Sequence, residues 1–194
     1  MMIAAILLAA GDASIDGVPL ALLPWGDGTT LIEYQITQLQ AARVDVVVVV
    51  LGFDAERVIP IVGGNDVEPI VDPRWETGEA SSLRVGAAAV PRNTQAAIIT
   101  HVNEPWAADA YRRLLDEHAR GLAAITCASA GGAHGYPLVI DGATLTAVRN
   151  VSDEGGLDAI IAHNRSGIAL VEMDVAAARI ETADDYEAAR RLRS

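Results

Sequence analysis

The feature that most limits the fold is the run Val46-Val47-Val48-Val49-Val50-Leu51. β-Branched side chains are stiff at χ1 and settle well on a pleated strand. The run has no polar alternation, so both of its faces must be covered. Such a strand belongs in a parallel sheet with helices on each side, not in an antiparallel sheet with one wet face. Further strands are predicted at 3–9, 67–71, 96–102, 122–127, 138–140 and 168–173. Helical patterns fill most of the intervals, at 30–43, 55–59, 79–90, 106–118, 157–163 and 182–193. Thr29 or Thr30 can cap the first helix, Pro60 should end the second, and Gly131-Gly132 predicts a turn. The last helix starts with Asp184, Asp185 and Glu187 and ends with Arg190, Arg191 and Arg193, which suits its dipole. This alternation predicts an α/β protein: one three-layer, Rossmann-like, doubly wound domain over 1–194 with a mostly parallel sheet. Ligands in such folds sit at the carboxyl ends of the strands, so the loops at 11–25, 72–82, 101–106 and 131–137 are the candidates.

Charge narrows the chemistry. The 194 residues carry 26 acids and 14 basic residues, a net charge of −12, and every basic residue is arginine. The first is Arg43, preceded by Asp12, Asp16, Asp27 and Glu33. Lysine chemistry is excluded, whether a Schiff base or a phosphate-loop lysine. A nucleic-acid partner is disfavoured, because nonspecific affinity comes from basic patches. The richness in Ala, Val, Gly and Arg also fits a coding bias against lysine. The single cysteine, Cys127, excludes an intramolecular disulfide and reads as a small core residue. The longest apolar stretch, 1–10, is shorter than the roughly 20 residues of a membrane span. With no basic residue before it, it reads as a buried strand rather than a signal peptide. The expectation is a soluble cytoplasmic protein without a membrane partner.

Several segments then follow in a telling order. Leu8-Ala9-Ala10-Gly11 closes the first strand, and Pro24 closes Leu20-Ala21-Leu22-Leu23. Thr30-Leu31-Ile32-Glu33 and Leu51-Gly52 come next. The stretch from Asp72 to Gly86 reads Asp-Pro-Arg-Trp-Glu-Thr-Gly-Glu-Ala-Ser-Ser-Leu-Arg-Val-Gly. Val102-Asn103-Glu104-Pro105, Gly135-Tyr136-Pro137 and Ile180-Glu181-Thr182-Ala183-Asp184-Asp185-Tyr186 complete the series. Together they resemble the MobA-like nucleotidyltransferases, in particular the molybdenum-cofactor cytidylyl- and guanylyltransferase branch. The likeness spans essentially the whole chain, and Pro-x-Trp-x-x-Gly-x-x-Ser-Ser-Leu-Arg is its most specific part. It implies a nucleotide-diphospho-sugar transferase-like fold. It also implies transfer of a nucleoside monophosphate from CTP or GTP to a phosphorylated pterin cofactor, with magnesium and release of pyrophosphate.

Carried over residue by residue, the resemblance assigns nucleotide binding to Leu8, Ala9, Ala10, Gly11, Ser14, Gly17, Gly78, Ser81, Ser82 and Arg84. Backbone amides of such a loop can cradle phosphate. The departures are equally informative. The family's loop arginine and lysine correspond to Ile15 and Leu20, and the loop gains Asp12 and Asp16. A charge-assisted hydrogen bond is worth about 1.5–3 kcal/mol, so losing two costs roughly 3–6 kcal/mol, on the order of 10²- to 10⁴-fold. The metal aspartate after strand four is Asn103, beside Glu104, and the late Asp-x-Asp is Arg179-Ile180-Glu181. Asn103 and Glu181 are the metal candidates that remain. The family's Gly-His-Pro is Gly135-Tyr136-Pro137, with His134 one residue early, and Asp72 replaces a usual asparagine.

Arg84 is the best remaining anion contact, with pairing to Glu79 or Glu76 the plainer reading. Trp75 and Trp106 can stack on a base or pack loops. His101 with Asn103, Glu104 and His134 would make a different metal site, which no ligand spacing supports. His118 and His163 read as helix-dipole contacts. The functional readings that stay open are a family member with weak or no standard NTP transfer; a non-catalytic protein binding a nucleotide, a pterin cofactor or a protein partner; an active transferase on a remodelled site; and a different chemistry on the same fold, with Asp12, Asp16, Glu104 and Glu181 as acidic candidates.

Overall fold

A computed structural model describes residues 1–130, 133–152, 160–162, 164, 167–173 and 179–193. The strands are β1 (Ile3–Ala9), β2 (Ser14–Ile15), β3 (Val18–Pro19), β4 (Val46–Leu51), β5 (Glu68–Val71), β6 (Ala96–His101), β7 (Ile125–Ala130), β8 (Ala133–Asp141) and β9 (Ile168–Glu172). The helices are α1 (Leu31–Ala41), α2 (Ala55–Val62), α3 (Glu79–Ala89), α4 (Ala108–Arg120), α5 (Gly142–Val148) and a last helix, Ala183–Arg193.

Seven strands form one sheet in the order β5-β4-β1-β6-β8-β7-β9. The β5, β4, β1 and β6 strands are mutually parallel, as are β7 and β9, while β8 runs antiparallel to both β6 and β7. The valine run lies between β5 and β1, in register with Ala4–Ala9. Its side chains divide as the lack of alternation requires. Val47, Val49 and Leu51 join Ala5, Leu7 and Ala9 in a layer with α1, α2, α4 and the last helix. Val48 and Val50 join Ala4, Ile6 and Leu8 in the opposite layer with α3 and α5. Helix α3 approaches so closely that a Cβ on Gly86 would lie 2.6 Å from Ile6 Cγ2 and 2.9 Å from Val50 Cγ2.

Local chemistry accounts for most boundaries. Thr30 and Glu33 form a capping box at α1, and Arg43, with φ at +66°, stops that helix short of the predicted end. Pro60 does not end α2. The helix runs on to Val62, because Ala55, Val58 and Val62 pin it to the core at the cost of one backbone bond. The strand expected from residue 122 begins at Ile125 and continues to Ala130, leaving Leu122 fully exposed. Helix α5 is an addition, capped by the Asp141 carboxylate accepting from the Thr144 amide at 2.7 Å. Cys127 is buried, as read, and burial pushes its thiol up to about 11. His118 does lie in the last turn of α4, but its Nδ1 pairs with Thr126 Oγ1 of β7 at 3.0 Å, and burial lowers its pKa. The predicted Gly131-Gly132 turn and His163 lie outside the described residues, as does much of the 157–163 helix, of which 160–162 are helical. No helix among the described residues is long and apolar enough to cross a membrane.

Candidate functional site

The chain winds from β1 to β4 and β5, then returns to place β6 on the other side of β1. The carboxyl ends of β1 and β6 therefore flank the topological switch point, where crevices open in such sheets. Two adjoining cavities lie there. The larger, about 540 Å³, is lined by Leu8, Ala10, Gly11, Asp12, Trp75, Glu76, Gly78, Glu79, Ser82 and His101. The smaller, about 120 Å³, shares Leu8, Gly11 and His101 and adds Leu20, Phe53 and Asn103 among others.

Of the loop residues assigned by resemblance, Leu8, Ala10 and Gly11 line the larger cavity and Ala9 the smaller. Ser14 and Gly17 line neither. They belong to a β2–β3 hairpin turned by Asp16 (φ +51°) and Gly17 (φ +75°), a two-residue Asp-Gly turn with both residues left-handed. Ile15 packs against the core, and Leu20 is buried in it while lining the smaller cavity. A cation does reach this hairpin from elsewhere in the chain. Arg57 of α2 donates to the Gly17 carbonyl at 3.3 Å and pairs with Asp54 at 2.7 Å. Only the fold brings it there.

The segment after β5 keeps its shape through one buried carboxylate. Asp72 Oδ1 accepts from the Arg74 amide at 2.9 Å and from Ser81 Oγ at 3.0 Å, and Oδ2 accepts from Ser82 Oγ at 2.9 Å. Both serine hydroxyls thus donate to protein, and Ser82 alone of the two lines the larger cavity. Gly78 precedes α3 with φ at +112°, a conformation that favours glycine. Gly52 permits the loops to meet: a Cβ there would lie 2.6 Å from both the Ala10 carbonyl oxygen and Trp75 Cβ. Phe53 meets Trp75 edge-on at 5.7 Å. Arg84 lines neither cavity; its Nη1 donates to the Val151 carbonyl at 2.8 Å. Trp106 is buried in the core, the packing role open to it in the sequence.

Between this wall and the β6 side runs a cluster that sequence reasoning did not assemble. His101 Nε2 stands 3.3 Å from Glu79 Oε2, off-line for a hydrogen bond, and its ring meets Tyr136 edge-on at 4.3 Å. The Tyr136 hydroxyl donates to Glu79 Oε1 at 2.5 Å. Burial would raise the Glu79 pKa, but His101, Tyr136 and the charge of Arg179 together outweigh it and hold the carboxyl below its ordinary value. For Glu104 burial wins over His101 and Arg179, and the carboxyl sits above its ordinary value. Helix α1 props the β6 side. Buried Gln35 donates to the carbonyls of His101 (3.1 Å) and Glu104 (2.8 Å) and accepts from the Tyr111 hydroxyl (2.8 Å).

The metal positions were tested by the same geometry. Asn103 Nδ2 donates to the Ile180 carbonyl at 3.4 Å, and Arg179 holds Glu181 at 2.8 Å. Among the described residues no group of three His, Cys, Asp or Glu side chains is placed to hold a metal ion. His101 gathers with Glu79 rather than with Asn103, and the side chain of His134 lies outside the described residues.

A mostly parallel sheet with its crevice at this switch point is the architecture of the nucleotidyltransferase-like α/β proteins. Residues 5–168 match the MobA-like NTP transferase domain, and the chain belongs to that family. Its fold is similar to that of Rv0371c from Mycobacterium tuberculosis H37Rv, at 22% identity and a TM-score of 0.82 over 100% of this chain and 98% of the other. A manganese complex of that protein aligns at 24% identity and 0.78, over 98% of each chain. A nucleotidyl transferase from Methanothermobacter aligns at 24% identity and 0.84, over 98% and 97%. No curated protein matches by sequence.

Proposed function

We propose that this MobA-like protein keeps the nucleotide-recognition architecture of its family with weak or no standard NTP transfer. It serves as a binding protein for a nucleotide or a pterin-type cofactor related to the molybdenum-cofactor branch. One observation carries this reading. The positions of the family's phosphate-holding arginine and lysine are occupied by Ile15 and Leu20, whose side chains belong to the apolar core. The larger cavity compounds the effect, since its charged lining is Asp12, Glu76 and Glu79 with no arginine. A triphosphate entering there meets carboxylates, and the cations that would stabilise developing phosphoryl charge are missing from the loop.

Arg57 favours a second reading, an active transferase on a remodelled site, because its guanidinium already touches the hairpin. Calorimetric and thermal-shift titration with CTP, GTP and ATP, each with magnesium or manganese and with EDTA, separates the two. The first reading expects a sub-millimolar triphosphate to stabilise the protein no more than the corresponding nucleoside monophosphate, because only the phosphate-holding cations are missing. Stabilisation that Arg57→Ala removes would overturn it in favour of the second.

A further inference from the structure

The segment Arg179-Ile180-Glu181 is docked on the end of β6 by a two-way backbone clasp. The Ile180 amide donates to the Asn103 carbonyl at 2.8 Å, and the Asn103 carboxamide donates back to the Ile180 carbonyl at 3.4 Å. Ile180 itself is fully buried and anchors the clasp. In extended chain, residues two apart point to the same side, so Arg179 and Glu181 both face away from the core. The consequence is a specific charge arrangement. Arg179 Nε lies 2.8 Å from Glu181 Oε1, and its Nη1 lies 3.9 Å from Glu104 Oε1. Its positive charge is also felt at Glu79. The Glu104 side chain is only 13% exposed, so this carboxylate cannot rely on water for its counter-charge. Asn103 suits the clasp rather than a cation: its carboxamide supplies a donor to Ile180, which an aspartate could not.

We propose that Arg179 is a tethered cation that takes the electrostatic place of a divalent metal at this end of the cleft, so that the cleft takes up no divalent cation. The guanidinium lies between Glu181 and the largely buried Glu104, the carboxylate that most needs a counter-charge. It is part of the chain, so its effective concentration does not depend on metal supply. The inference uses the family reading to say that relatives employ a metal here, and it can fail independently of the nucleotide reading because its test needs no nucleotide.

The test is manganese capture by the full chain, read as loss of the free-ion electron paramagnetic resonance signal. Wild type and Arg179→Lys should leave the signal unchanged up to about millimolar manganese. Arg179→Ala should bind more tightly, and Arg179→Asp, which adds a carboxylate beside Glu104 and Glu181, more tightly still, by tenfold or more over wild type. Arg179 is 64% exposed, and circular dichroism of each variant confirms that it is folded. Capture by wild type as tight as by Arg179→Asp would overturn the proposal. So would a folded Arg179→Asp that binds no better than wild type. Stabilisation of wild type by a triphosphate beyond that by its monophosphate in the presence of EDTA would leave this inference standing while contradicting the proposed loss of triphosphate affinity.

Discussion

The two walls of the cleft differ in what has been kept. The wall built from β5 and α3 keeps the glycine and serines that the resemblance matches, and its purpose is mechanical: Asp72, where the resemblance implies an asparagine, ties Ser81, Ser82 and the Arg74 amide together, and Gly52 and Gly78 let the backbones pass. By the proposed reading, the wall built from β6 and the 179–181 segment is rebuilt: it carries a network of its own where the resemblance implies acids and a metal. Asn103 clasps Ile180, Arg179 answers Glu104 and Glu181, and Gln35 fastens the His101 and Glu104 carbonyls from behind. The second wall is held by these bonds, although the buried His101 Nε2 makes no hydrogen bond.

The largest expected effect lies on the retained wall. Asp72→Ala removes the shared acceptor of three donors, two of them on buried serines, and should cost about 3 kcal/mol in urea unfolding. A loss below about 1 kcal/mol would mean that the segment holds its shape without the carboxylate. Next comes Gln35→Leu, expected to cost roughly 1–3 kcal/mol by taking the Gln35 donor from the His101 and Glu104 carbonyls and the Gln35 acceptor from the Tyr111 hydroxyl. If the rebuilt wall were loose, that substitution would be silent.

A smaller effect is pH-dependent. The folded-state pKa of Glu79 lies below its unfolded value of about 4.3, so its contribution is present above that value and fades as pH falls through the folded pKa. Glu79→Gln should therefore flatten the loss of stability on acidification below about pH 4.3, read from thermal midpoints across the acid range. An unchanged profile would remove the His101–Glu79–Tyr136 cluster from the account. Smallest of all, Arg179→Ala should change stability by no more than about 1 kcal/mol, because its ion pairs are largely solvent-exposed. Its effect belongs to metal uptake.

Sequence reasoning reached the sheet because burial on both faces leaves a direct mark, as in Val46–Leu51. It reached Gly78, Ser81 and Ser82 through the family resemblance alone, and their tie to Asp72 is a product of the fold. Ile15 and Leu20 were legible as missing cations, though not as core residues, because their burial depends on a hairpin whose Asp16-Gly17 turn was an unused signal. The rebuilt wall was illegible in principle. Arg179 and Glu104 are far apart along the chain, as are Glu79, His101 and Tyr136, and no periodicity records contacts of that span. The reach of Arg57 to the Gly17 carbonyl is likewise a product of the fold.

The central claim is the proposal that this cleft performs weak or no standard nucleotidyl transfer. Pyrophosphate release tests it most directly, measured with CTP or GTP, magnesium and a phosphorylated pterin acceptor. The account predicts release at or barely above the uncatalysed background. Sustained release that scales with protein and is abolished by Asn103→Ala would contradict it.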